Sequence, residues 1–180
     1  MIFDKKKKTE NIIEYILFMW QVEDLIRACQ FNAETIEKLL VKKFTDPTIP
    51  EADLRNWFIE LSDIMQAEGL KTAGHLQVVQ NSVSDIADLH LKLIDSPEQI
   101  NYRNAYVRAF PVIRELAAKS SDSVKNEIEI CLTAVYGFVM LKMQNKPVSE
   151  ATQTATKQIT ELLSELAFCY KQREAGNLEV

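Results

Sequence analysis

Glu23 and Arg27 stand one helical turn apart within an otherwise apolar run from Asn11 to Arg27. At that spacing a carboxylate and a guanidinium can meet on one helix face, here beside Ile12, Ile16 and Trp20. An ionised group out of water is costly unless paired. The sequence therefore predicts a partly buried Glu23–Arg27 ion pair with Trp20 as its apolar wall. Asp24 points about 100° away and is expected to use a different environment. Such a pair either braces the packing of its helix or anchors a ligand or subunit at a pocket, and bracing is the plainer reading.

His90 is the second candidate. It sits in an apolar seam formed by Leu76, Val79, Val83, Ile86 and Leu93, at alternating spacings of three and four. A lone histidine there is more often a hydrogen-bonded core residue than a ligand. Asp85 and Asp88 lie off the one-turn spacing that converges on an ion, and the paired Glu-x-x-His signature of di-iron bundles is absent. Trp20, Glu23, Arg27 and His90 form the candidate binding set, around a pocket into which all four would converge. No catalytic residue, metal ligand or cofactor is assigned. The sequence has no Gly-x-Ser-x-Gly elbow and no Gly-rich phosphate loop. Arg103, Arg108 and Arg114 beside Tyr102 and Tyr106 could meet an anion, but solvation or pairing with Glu98 and Glu115 is the simpler expectation. Cys29, Cys131 and Cys169 are odd in number, far apart and set among apolar residues, which reads as buried free thiols.

These residues must be positioned by helices. The 180 residues are 47% hydrophobic and 26% charged, with only 4 Gly and 5 Pro. That composition suits a globular chain poor in the turns many short strands need. A net charge of −5 and a pI near 5.2 argue against nucleic-acid binding. The one basic run, Lys5–Lys8, reads as a solvated lead-in over residues 1–8. No apolar run approaches the roughly 20 residues of a membrane span. Glu10, Glu14, Glu23 and Asp24 spoil a secretory-signal reading, so a cytoplasmic protein is expected.

Periodicity and capping residues predict six or seven helices in one domain spanning residues 1–180. The first runs from near Lys5–Thr9 to Gln30, and a second from Ala33 to Phe44 behind an Asn32 cap. The third starts at Glu51 after Pro50 and closes at Gly69. The fourth covers Ala73 to Ile94, with residues 69–74 either broken or kinked. The fifth starts at a Ser96 cap with Pro97 in its first turn, and Pro111 is expected to kink or break it near Phe110. The sixth, Val124 to Gln144, is almost wholly apolar from Ile128 to Leu141. It reads as a second central helix beside the first. The last follows a Ser149 cap to Glu174, leaving 175–180 as a frayed tail.

The run Glu14–Tyr15–Ile16–Leu17–Phe18–Met19–Trp20–Gln21–Val22–Glu23–Asp24–Leu25–Ile26–Arg27 resembles a family of short all-helical bacterial proteins, chiefly of the Bacteroides group, catalogued as a domain of unknown function. The resemblance extends to overall length. It implies a stand-alone cytoplasmic protein and supplies no activity, cofactor or site residue.

The expected architecture is an all-α antiparallel bundle. The function it suggests is a non-enzymatic interaction or scaffolding module. A homodimer, or another protein as partner, is expected because long helices and aromatics such as Trp57, Phe58 and Tyr106 exceed what one small core would cover. The alternative is a small-molecule-binding protein or enzyme at the Trp20, Glu23, Arg27, His90 pocket.

Overall fold

Helix α1, Ile12–Ala28, opens the computed structural model's main bundle, and its boundary shows how local chemistry sets the chain's path. The structure describes residues 7–44, 47–120 and 126–180. Residues 7–10 form a helical turn, but the continuous helix expected from Lys5–Thr9 breaks at Asn11. Asn11 leaves helical geometry (φ −155°, ψ 106°), and its side-chain oxygen accepts from the Ile13 and Glu14 N–H groups. An amide that satisfies two free donors makes a better helix start than a continuation.

Helix α2, Ala33–Ile36, starts at the Asn32 cap and passes directly into a wider π-helical stretch, Glu37–Val41. Helix α3 is Glu51–Ala67, ending before Gly69, which takes the left-handed conformation at φ +75°. Helix α4, Gln77–Asp95, begins later than the expected Ala73, because residues 69–76 form a true linker with Gly74 at φ +92°. Helix α5, Ile100–Lys119, also starts late. Ser96 and Pro97 lie in the preceding turn rather than at its cap. Pro111 does not break α5, which runs through it. The carbonyl it deprives belongs to Val107, an exposed residue where water can serve instead.

Helix α6, Glu127–Met143, is capped by Asn126, and α7, Glu150–Glu174, by Ser149. The expected start of the sixth helix at Val124 lies outside the described residues. Beyond Gly176, Leu178 and Val180 pack partly against the core, and Lys92 Nζ donates to the Val180 carbonyl at 3.0 Å.

The protein is all-helical, and its buried apolar residues form one continuous cluster. The most extensive pairing is α5 along α7, while α4 packs against α1, α5, α6 and α7. Among the described residues no helix is long and apolar enough to cross a membrane. Cys29, Cys131 and Cys169 are free and buried, and burial pushes the Cys131 thiol up to about 12.

Two expectations about hydrophobic surplus are corrected. Trp57 and Phe58 are 3% and 0% exposed, so the chain's own core covers them. They join Phe18 and Phe44 in an aromatic cluster where α1, α2 and α3 meet. Helix α6 is central only in its first half, where Ile128, Cys131, Leu132 and Val135 are buried. Its second half carries Val139, Leu141 and Met143 into solvent. Apolarity around the whole circumference suits burial on every side, but α6 emerges from between its neighbours before it ends. Gly137 lies in that emergent half, and a methyl group added to it would meet nothing within 4 Å. A glycine inside a helix costs roughly 1 kcal/mol relative to alanine, with no packing reason among the described residues.

Candidate functional site

The Glu23 side chain is completely buried, and its two oxygens reach the linker between α3 and α4. Oε1 accepts from the Leu76 N–H at 3.0 Å, and Oε2 lies 2.6 Å from His75 Nδ1. A carboxylate can only accept, so Nδ1–H is the donor and Nε2 is left open on a ring that is one-third exposed. Leu76 immediately precedes α4, so Glu23 satisfies one of the free N–H groups at that helix's positive end. Glu68 Oε2 takes the next, the Gln77 N–H, at 2.8 Å.

Arg27 grips the same linker by its carbonyls. Nε donates to the Leu70 oxygen at 3.0 Å, and one terminal amino group donates to the Gly74 oxygen. The other terminal nitrogen pairs with Asp24 Oδ1 at 2.8 Å. Asp24 Oδ2 in turn accepts from the Tyr136 hydroxyl at 2.6 Å, tying α1 to α6. Burial and the Asp24 carboxylate together hold the Tyr136 phenol well above its usual range.

The expected Glu23–Arg27 pair is thus replaced by two separate grips, and the residue expected to stand apart is Arg27's actual carboxylate partner. The spacing i, i+3 serves an ion pair as well as i, i+4. What decides between them is depth. Glu23, at full burial, is better satisfied by a fixed backbone donor and a short ring than by a long guanidinium, while Arg27 lies where the linker's carbonyls need donors.

Trp20 stands between these groups. The His75 ring stacks on it at 4.4 Å between centroids and 16° between planes, and Tyr136 meets it nearly perpendicular at 5.7 Å. Its buried indole N–H finds no hydrogen-bond acceptor among the described residues. The structure therefore brings together three of the four predicted residues, Trp20, Glu23 and Arg27.

His90 belongs to another cluster. The Tyr102 hydroxyl lies 2.5 Å from Nδ1, and Glu127 Oε2 lies 3.4 Å from Nε2. Burial pushes the Tyr102 phenol far above its ordinary range, so it stays protonated and donates to Nδ1. Nε2–H then donates to the Glu127 carboxylate. Tyr106 packs edge-on against the ring at 5.2 Å, and burial raises its phenol to about 12. This is a satisfied core histidine. Its hydrogen-bond and ring partners, Tyr102, Tyr106 and Glu127, are none of those around Trp20.

His75 and Tyr136 were not in the predicted set. The signal for His75 was its place beside Gly74, in the one linker whose exposed backbone groups two long helices had to satisfy. Nothing local marks Tyr136, which lies over 100 residues from Asp24 in the chain and meets it only through the packing of α6 on α1. Arg103, Arg108 and Arg114 all stay on the outer face of α5. Arg108 meets Glu161 at 3.7 Å rather than Glu98 or Glu115. Among the described residues no three His, Cys, Asp or Glu side chains gather as a metal set.

A family model described as a domain of unknown function (DUF4924) matches residues 1–177. The chain belongs to that family. No curated protein and no solved structure matches it. The DUF4924 chain therefore carries, in its Asn11–Arg27 segment, a polar cluster whose contacts account for the charges found there.

Two outcomes follow for this DUF4924 protein. Glu23→Ala strands the Leu76 N–H and His75, and is expected to cost about 3–5 kcal/mol in urea unfolding. Glu23→Gln keeps an acceptor and should cost less than half as much. The second concerns acid. Burial holds the His90 imidazole below its ordinary 6.5, outweighing the upward pull of Glu127. The unfolded chain therefore binds this proton at a higher pH than the folded chain does, and between the two values stability rises with pH. The contribution is complete above the unfolded value and disappears as pH falls towards the folded one. Urea unfolding measured from about pH 7.5 to about pH 5.5 should show this decline in the wild type and a shallower one in His90→Gln.

Proposed function

We propose that this protein is a non-enzymatic interaction module, that it acts through the emergent half of α6, and that its partner is a second copy of itself. The observation that carries this reading is the apolar surface of that half-helix. Val139 is 40% exposed and Met143 52%, with Leu141 and the half-buried Phe138 beside them. Isolated exposed apolar residues are ordinary, but four within residues 138–143, spread around the emergent half of one helix, mark a docking surface. A cleft of about 210 Å³ between α6 and α1 flanks this ridge on one side, lined by Leu17, Phe18 and Val139. On the other side is a wider groove of about 520 Å³ lined by Arg108, Phe138 and Thr160. Three buried thiols suit the reducing cytoplasm as the place of action.

A second reading keeps the small-molecule site, with His75 in the place of His90. It is favoured by the indole N–H of Trp20, buried without an acceptor among the described residues, beside a histidine with one open ring nitrogen. A metabolite thermal-shift screen separates the two readings. A ligand at 100 times its Kd adds roughly 2.7 kcal/mol of stability, and Trp20→Phe should abolish that gain.

Sedimentation equilibrium tests the leading reading. At concentrations on the order of tens of micromolar the wild type is expected to be dimeric, and Leu141→Glu monomeric with its helical circular-dichroism signal intact. A wild-type monomer across that range would contradict it.

A further inference from the structure

Resting on that reading, we infer that two copies pair by laying α6 antiparallel on α6 of the other copy, with the helices crossing at Gly137. Three observations converge on this point. Gly137 is exposed, lies well inside a regular helix, and has open space where a side chain would be. A glycine at such a position has a physical use where another backbone approaches closely. Thr133, one turn before it, is also small and exposed, and Leu141, one turn after it, is exposed and apolar. In a two-fold pair centred on Gly137, Leu141 of each copy falls opposite Thr133 of the other. A large side chain meets a small one at both ends of the crossing.

The charges agree with the antiparallel direction. The first turn of α6 carries Glu127 and Glu129 and its last turn carries Lys142, with Lys146 just beyond. Two-fold pairing sets the basic end of each helix beside the acidic end of the other. It also opposes the two helix dipoles. A parallel pair would place like ends together. A self-complementary patch of this kind is what an isologous interface requires, and it lets two chains of net charge −5 approach without local repulsion. The flanking grooves leave the ridge standing clear, so a partner helix can lie along it.

Gly137→Ala and Gly137→Cys test the crossing. Alanine favours the helix, so Gly137→Ala should raise the thermal midpoint of the monomer measured at low concentration. The added methyl meets the partner, so the same variant should weaken dimerisation by about tenfold or more in sedimentation equilibrium. A merely tolerated surface glycine would give the first effect without the second. Gly137→Cys should form a covalent dimer under mild oxidation within minutes. The wild type, whose cysteines are buried, should not, nor should a Glu60→Cys control on α3. A wild-type dimer unaffected by Gly137→Ala and not trapped through Gly137→Cys overturns this geometry while leaving self-association standing. A wild-type monomer overturns self-association itself.

Discussion

A carboxylate sealed from water dictates much of this structure. Glu23 has no exposed surface, so both its oxygens must find donors inside the protein. It finds them on a segment more than 50 residues away, at the Leu76 amide and His75. That choice fixes where α4 begins and how it meets α1. Arg27, one turn on, holds the carbonyls of Leu70 and Gly74 in the same linker. One helix thus supplies both acceptor and donor to the backbone of this linker. Neighbouring residues follow from this: His75 is set flat on Trp20, and Asp24 balances Arg27 while taking the hydroxyl of Tyr136.

The helical architecture could be read from the chain because its signals are local. Asn32 and Ser149 cap the helices they were expected to cap, Gly69 closes α3, and the seam from Val79 to Leu93 is buried as its spacing requires. What resisted reading was the choice among partners of similar reach. Asp24 and Glu23 are both within a turn of Arg27, and nothing in one helix reveals which carboxylate will be buried deeply enough to need fixed donors. The same limit applies to α6. Its composition suits a central helix, but its second half lies beyond the neighbours that would bury it. Covering is a property of where other elements end, and periodicity within a single helix carries no information about that.

The molecule divides its polar and apolar exceptions between two tasks. The charges inside, around Glu23 and around His90, are satisfied by partners within the chain and hold helices to one another. The apolar residues outside, along the second half of α6, stay largely in solvent, with Met143 met at its sulfur by the Gln21 amide. Tyr136 joins these regions, since its hydroxyl binds Asp24 while its helix continues into the exposed ridge. The clamp on the α3–α4 linker therefore also secures the base of the surface offered for association. Loosening it would move α6 as well as α4.

Hydrogen exchange at the Leu76 amide tests the central claim most directly. If the buried Glu23 carboxylate pins the start of α4 to the core, this N–H should exchange only through global unfolding. Its protection should then match the most protected amides of α1, although it lies at a helix start, where amides ordinarily exchange early. Exchange at the rate of neighbouring linker amides, through local fraying, would show that the carboxylate does not hold the linker, and the account would fail at its foundation.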